Sequence, residues 1–178
     1  TKRTLLKHGA TEPIFGVRIG DMKPLVKLLI GNQDLALQLY ETGNSDAMYL
    51  AGLVADGRKM SRAQLDQWAK KAPWHMIGGC TVPWVASEHP DAIDIAVKWI
   101  DSPKELIATA GWATLASVVM TRADADLPIQ RIANLLDRVA KTLTSSANRV
   151  RYAMNNFVIC CGTYVAPLGD KAIATARM

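Results

Sequence analysis

The chain has 178 residues, and 21 Lys+Arg against 16 Asp+Glu give it a formal net charge of +5. Hydrophobic types at 49% and charged types at 21% are the proportions of a globular domain, which excludes a disordered or collagen-like chain. The length fits a single domain, 1–178, with enough chain to bury a real core.

No apolar run reaches the ~18–20 residues that cross a bilayer, so no membrane partner is expected. The longest, Leu106–Met120, is interrupted by Thr109, Thr114 and Ser117 and reads as a buried helix. The basic start, Thr1–Thr4, is not followed by the apolar core of a secretory signal. Cys80, Cys160 and Cys161 form no disulfide framework, which predicts reduced thiols and a cytoplasmic protein. The chain starts without an initiator Met and stops at Met178 inside a helical-looking stretch. Trimmed ends, the C-terminus included, are therefore expected.

Helical periodicity dominates from end to end, and strand alternation is nearly absent. In chain order it predicts helices over about 21–30, 33–42, 45–56, 62–71, 75–88, 91–100, 103–120, 128–142 and 146–161. Asn44 is placed to cap the third, after Gly43 closes the second. Ser61–Gln64 and Ser102–Glu105 both match the capping box, and Pro103 sits where a missing N–H costs nothing. Pro83 removes a hydrogen bond to the carbonyl of Gly79 and predicts a kinked or broken helix there. Connections are short except near 121–127, so sequential helices are expected to run antiparallel as pairs, the more apolar second helices forming the inner layer. A degenerate helical solenoid and an irregular bundle both satisfy this all-α pattern.

Charge is clustered. Basic groups gather in 1–27, in 58–71 (with Lys70 and Lys71) and in 131–151 (with Arg149 and Arg151), whereas 88–105 is acidic. Segregated basic patches on a chain of pI ≈ 9.2 suit either phosphate neutralisation along a nucleic acid or a solvated basic surface. The helix at 146–161 separates two stripes. Ala147, Val150, Met154, Phe157, Val158 and Cys161 make an apolar one, and Arg149, Tyr152, Asn155 and Asn156 a polar one. Arginines beside that polar stripe can clamp phosphates while the amides reach sugar or base edges; an ordinary outer face fits the same pattern. Trp74 and Trp84 lie ten residues apart and are placed on one side of their helix. His75, Cys80 and His89 lack zinc spacing, and no phosphate loop, nucleophile elbow or metal-binding motif occurs. No metal and no other cofactor is expected.

Several short segments, in order, resemble the DNA alkylation repair family, whose helical-repeat members include alkylpurine DNA glycosylases. They are Phe15-Gly16-Val17, Asp21-Met22-Lys23-Pro24-Leu25, Leu35–Tyr40, Asp46–Ala51, Trp74, Ala110-Gly111-Trp112-Ala113 and Asn148–Asn155. The resemblance spans most of 10–165 and implies an all-α curved solenoid of antiparallel HEAT-like helix pairs with a basic concave face for duplex DNA. Active members carry a Trp-Asp-x-x-Asp pattern near Trp74, whose second Asp assists cleavage of the bond between an alkylated purine and its sugar. Aligned on Trp74, this chain has His75 and Gly78 at those two Asp positions, Asn156 where a second Trp stands, and Thr109 or Ala110 where an Arg stands.

Departure of the base leaves a cationic sugar that a carboxylate stabilises, and glycine offers none. The resemblance therefore implies DNA binding through backbone phosphates, to duplex, alkylated or branched DNA, without the family's excision chemistry. No catalytic residue is assigned. Lys70, Lys71, Arg149 and Arg151 are the expected phosphate contacts, with Trp74, His75, Tyr152, Asn155 and Asn156 lining the cleft and Trp112 in core or cleft. Three other readings stay open: an active glycosylase borrowing a carboxylate such as Glu88, a protein-interaction scaffold, and a small-molecule pocket around Trp74, Tyr152 and Asn156.

Overall fold

The computed structural model describes residues 1–178. It contains helices and no strands: α1 (Lys2–Lys7), α2 (Ile19–Leu29), α3 (Gln33–Glu41), α4 (Ser45–Val54), α5 (Arg62–Lys71), α6 (Val82–Glu88), α7 (Ala92–Ile100), α8 (Glu105–Thr121), α9 (Ile129–Thr142), α10 (Asn148–Tyr164) and α11 (Gly169–Ala176). Contacts divide the chain into two compact units, Thr1–Pro90 and Asp91–Met178.

In the first unit α3 packs on α4 and α5 on α6. Asn44 caps α4 as the sequence requires, its Oδ1 accepting from the Asp46 and Ala47 N–H groups at 3.0 and 3.3 Å. Gly43 takes φ +68° just after α3, the left-handed step that ends a helix without a Cβ penalty. Ser61 and Gln64 form both halves of the capping box at the start of α5. Tyr40 on α3 stacks on Trp68 of α5 at 3.9 Å and donates its hydroxyl to the Trp68 carbonyl at 2.7 Å, which ties the two outer helices together. Burial pushes the Tyr40 phenol far above its ordinary range.

The predicted irregularity at Pro83 is a π-helical turn, Ile77–Thr81, that runs into α6. Widening the turn avoids the clash that a proline imposes on the carbonyl one α-turn back. Gly52 on α4 accommodates it, since a Cβ there would lie 2.2 Å from Thr81 Cγ2. The two tryptophans do not share a side. Trp74 precedes the helix and is 6% exposed, whereas Trp84, beyond the π turn, is 38% exposed and meets Tyr49 edge-on at 5.6 Å. The intervening wide turn shifts the phase on which a spacing of ten depends.

In the second unit α8 packs on both α7 and α10, and α11 on α10. The second helices are thus the inner layer, as their composition predicts. Ten of the residues of α8 are buried, so it is apolar all round. Gly111 permits the close approach of α7, for a Cβ there would lie 2.7 Å from the Ala96 carbonyl oxygen and from Ile100 Cγ2. Trp112, expected in core or cleft, is core: it is buried and tilted against Phe157 of α10 at 5.4 Å.

Two local expectations fail in this unit. Ser102 does not form a capping box; its Oγ accepts from the Lys104 N–H at 3.2 Å, and α8 starts only at Glu105. The Glu105 carboxylate instead accepts the Arg149 N–H at 2.9 Å, so it caps the start of α10, where Ala147 has no side chain to do so. Ala147, read as part of the core stripe, is exposed at that N-cap. Helices α1 and α11 lie outside the nine predicted; α1 buries no residue and therefore shows no apolar stripe.

Candidate nucleic-acid interface

Lys70 and Lys71 are exposed in the last turn of α5, the first helix of its pair, rather than on an inner helix. Cations there complement the partial negative charge of the helix end. Lys71 pairs with Glu41 at 2.5 Å, while Lys70 has no carboxylate partner. Three residues later Trp74 turns into the unit, and its buried indole N–H finds no hydrogen-bond partner. His75 is half-buried and meets Trp74 edge-on at 5.0 Å. Gly78, the position without a carboxylate, is buried in the π turn.

The second unit bears out the polar stripe of α10. Arg149, Arg151, Tyr152, Asn155 and Asn156 are all exposed, Tyr152 by 75%. Val150, Met154, Phe157, Val158 and Cys161 are buried opposite them. The Arg149 backbone N–H is held by Glu105, which leaves its guanidinium free, and Arg151 reaches only Asn148 Oδ1, at 3.4 Å. Neither arginine has an ion-pair partner. Elsewhere in this unit Arg131 and Arg138 pair with Asp94 and Asp101 at 2.7 Å, so the cations of α9 are partly neutralised and those of α10 are not.

Two carboxylates of the first unit, Glu88 and Asp46, are committed to structure. Glu88, the carboxylate that the active-glycosylase reading borrows, accepts the Gly57 N–H at 2.8 Å. A Cβ at Gly57 would lie 1.9 Å from the Val85 carbonyl oxygen, so the loop rests directly on α6. Asp46, to which no role was given from the sequence, accepts three consecutive N–H groups from Phe15, Gly16 and Val17 at 2.6, 3.0 and 2.9 Å. It stands in the first turn of α4 and pins the segment before α2. The signal lay in the segments quoted above, where Asp46 and Phe15-Gly16-Val17 both appear, but only the fold brings them together.

Comparison with known proteins agrees with this architecture. Residues 2–177 match the family described as DNA alkylation repair enzyme. The chain belongs to that family. It is 32% identical to Lin0241 of Listeria innocua and 31% identical to Lmo0209 of Listeria monocytogenes, in each case over 99% of this chain and 78% of the relative. A solved structure superposes with a TM-score of 0.94 at 40% identity, covering 99% of this chain and 75% of the other. It is described as a new family of proteins related to the HEAT-like repeat DNA glycosylases, with affinity for branched DNA structures. The all-helical pairs of this family member are HEAT-like repeats.

Proposed function

We propose that this DNA alkylation repair family member is a cytoplasmic protein that binds duplex or branched DNA through phosphate contacts and does not excise bases by the family's Asp-dependent route. The observation that carries the reading is the 40%-identical structural neighbour with affinity for branched DNA structures. Arg149 and Arg151 support it as exposed guanidinium groups without carboxylate partners, available for bidentate contact with phosphate oxygens. Lys70 adds a third such cation, and Lys71 contributes once it exchanges Glu41 for phosphate. Tyr152, Asn155 and Asn156 offer stacking and hydrogen bonds to sugar and base edges beside the arginines, with Trp74 and His75 completing the contact set.

Excision needs negative charge next to a sugar that becomes cationic as the base departs. Gly78 supplies none. Glu88 holds the Gly57 N–H and Asp46 holds three backbone N–H groups, so both carboxylates are fixed by the loops they anchor.

Each phosphate neutralised releases counterions, so affinity falls with salt in proportion to the contacts made. Binding of branched and duplex oligonucleotides, measured across a salt series, is expected to fall steeply. The double variant Arg149→Ala, Arg151→Ala lowers the slope of log K against log salt by about 2. A slope indifferent to salt and to this change rules the reading out. Release of 3-methyl- or 7-methylpurine from alkylated DNA decides the catalytic half; release that persists in a Trp74→Ala control is contamination, and release that disappears with it establishes a glycosylase.

A further inference from the structure

The first unit contains a cavity of about 310 Å³ walled by the segment before α2, by α2 itself, by the first turns of α4 and by the approach to the π turn. Its surface is mostly apolar, from Ile14, Val17, Met22, Tyr49 and Ile77. The volume lies at the lower end of small-molecule pockets, roughly 300–1,000 Å³, and so suits one ring system.

Set in this apolar wall are polar groups that the protein leaves unsatisfied. Trp74 and Ser45 both line the cavity and are 6% and 3% exposed, yet the Trp74 Nε1–H and the Ser45 hydroxyl have no partner. Buried donors are almost always paired, and an exception asks for an occupant. Asp46 also lines the cavity. A carboxylate has about four lone-pair sites; two N–H groups occupy Oδ2 and one occupies Oδ1, which leaves one acceptor site on Oδ1. Two donors and an acceptor among apolar side chains match a flat ring with apolar faces and a polar edge.

The surroundings are built rather than slack. Three hydrogen bonds donated to Asp46 hold residues 15–17 in place, and the π turn, a form often found at functional sites, supplies the adjoining wall at Ile77. Arg18, exposed and without an ion-pair partner, also lines the cavity. An anion attached to the ring would meet it.

We propose that this cavity is a binding site for the base of a single unpaired nucleotide, with the Trp74 indole N–H, the Ser45 hydroxyl and Asp46 Oδ1 on the base edge and Arg18 on the phosphate. The inference rests on the DNA-binding reading for the source of the nucleotide, since a branch point can present bases that lack a partner. It adds an enclosed base site in the first unit to the exposed phosphate and base-edge contacts proposed above.

The test follows the Trp74 indole N–H resonance, assigned by its absence in Trp74→Phe, during titration with dCMP, dAMP and deoxyribose 5-phosphate. Both nucleotides are expected to shift it saturably, and the base-free phosphate to leave it unmoved. Ser45→Ala, checked for native circular dichroism, weakens both nucleotides about tenfold, the order of one buried hydrogen bond. Arg18→Gln weakens nucleotides but not the corresponding nucleosides. An indole signal that ignores both nucleotides, or that moves equally with deoxyribose 5-phosphate, overturns the proposal. A salt series on fully paired duplex, run alongside, separates the two readings. Duplex binding without a nucleotide response removes the cavity site alone, and a nucleotide response without duplex binding removes the DNA-binding function alone.

Discussion

Glu105 shows how much one side chain can do at a distance from its own helix. It opens α8, yet its carboxylate caps α10 through the Arg149 N–H. Removing a helix cap costs about 0.5–2 kcal/mol, and Glu105→Ala is expected to lower stability by that amount in urea denaturation. Because the same bond fixes the backbone that carries Arg149, the variant should also weaken DNA binding. Cys161 gives a pH dependence of defined sign. Burial, with Cys160 beside it, pushes this thiol up to about 12, against about 8.5 for an ordinary cysteine. Above the ordinary value the unfolded chain has lost a proton that the folded chain still holds, so the native state loses stability as pH rises. The raised Tyr40 phenol acts in the same direction at higher pH. The urea midpoint is expected to fall from about pH 8 to about pH 11, and less steeply in Cys161→Ala; an unchanged profile would contradict the burial of this thiol.

The element that fixes the second unit is α8, and its tightest point is Gly111. The neighbours of a Cβ there include the backbone oxygen of Ala96 and the backbone nitrogen of Ile100, which cannot swing aside as a side-chain tip does. Overpacking of this kind costs typically about 1–3 kcal/mol, so Gly111→Ala is expected to destabilise by at least that order while Ala113→Gly, at a half-buried site on the same helix, costs about 1 kcal/mol or less. Thermal denaturation of the two variants measures the difference. Phe157 makes the complementary case: it is fully buried against Trp112, and Phe157→Ala should cost about 3–5 kcal/mol through lost burial and the cavity left behind. The caps behave less uniformly than their motifs. Ser61 and Ser102 open equivalent sequence patterns, but only Ser61 forms the box, because Glu105 is drawn to the uncapped start of α10.

For the molecule as a whole, a formal charge of +5 favours polyanions, and the ion pairs decide which cations are left unpaired. Arg131 and Arg138 of α9 are matched to acidic groups in 88–105, the arginines of α10 are not, and the cluster at the end of α5 is half matched. Substituting Arg131 or Arg138 should therefore disturb stability more than DNA affinity, and substituting Arg149 or Arg151 the reverse, as paired urea and salt-titrated binding measurements will show.

The all-α class, the nine principal helices, the caps at Asn44 and Ser61, and the split of α10 into a buried stripe and an exposed polar one were legible in the sequence. Those features depend on residues within a turn or two of each other, where periodicity and capping chemistry act. The family likeness, too, was legible in short ordered segments. Contacts across tens of residues came from folding alone: Asp46 gripping 15–17, Glu88 holding Gly57, Glu105 capping α10, and the enclosure of a cavity around Ser45 and Trp74. A carboxylate reads the same in a sequence whether it faces water, a sugar or a row of backbone N–H groups. Its role is set by what folding brings within about 3 Å of it.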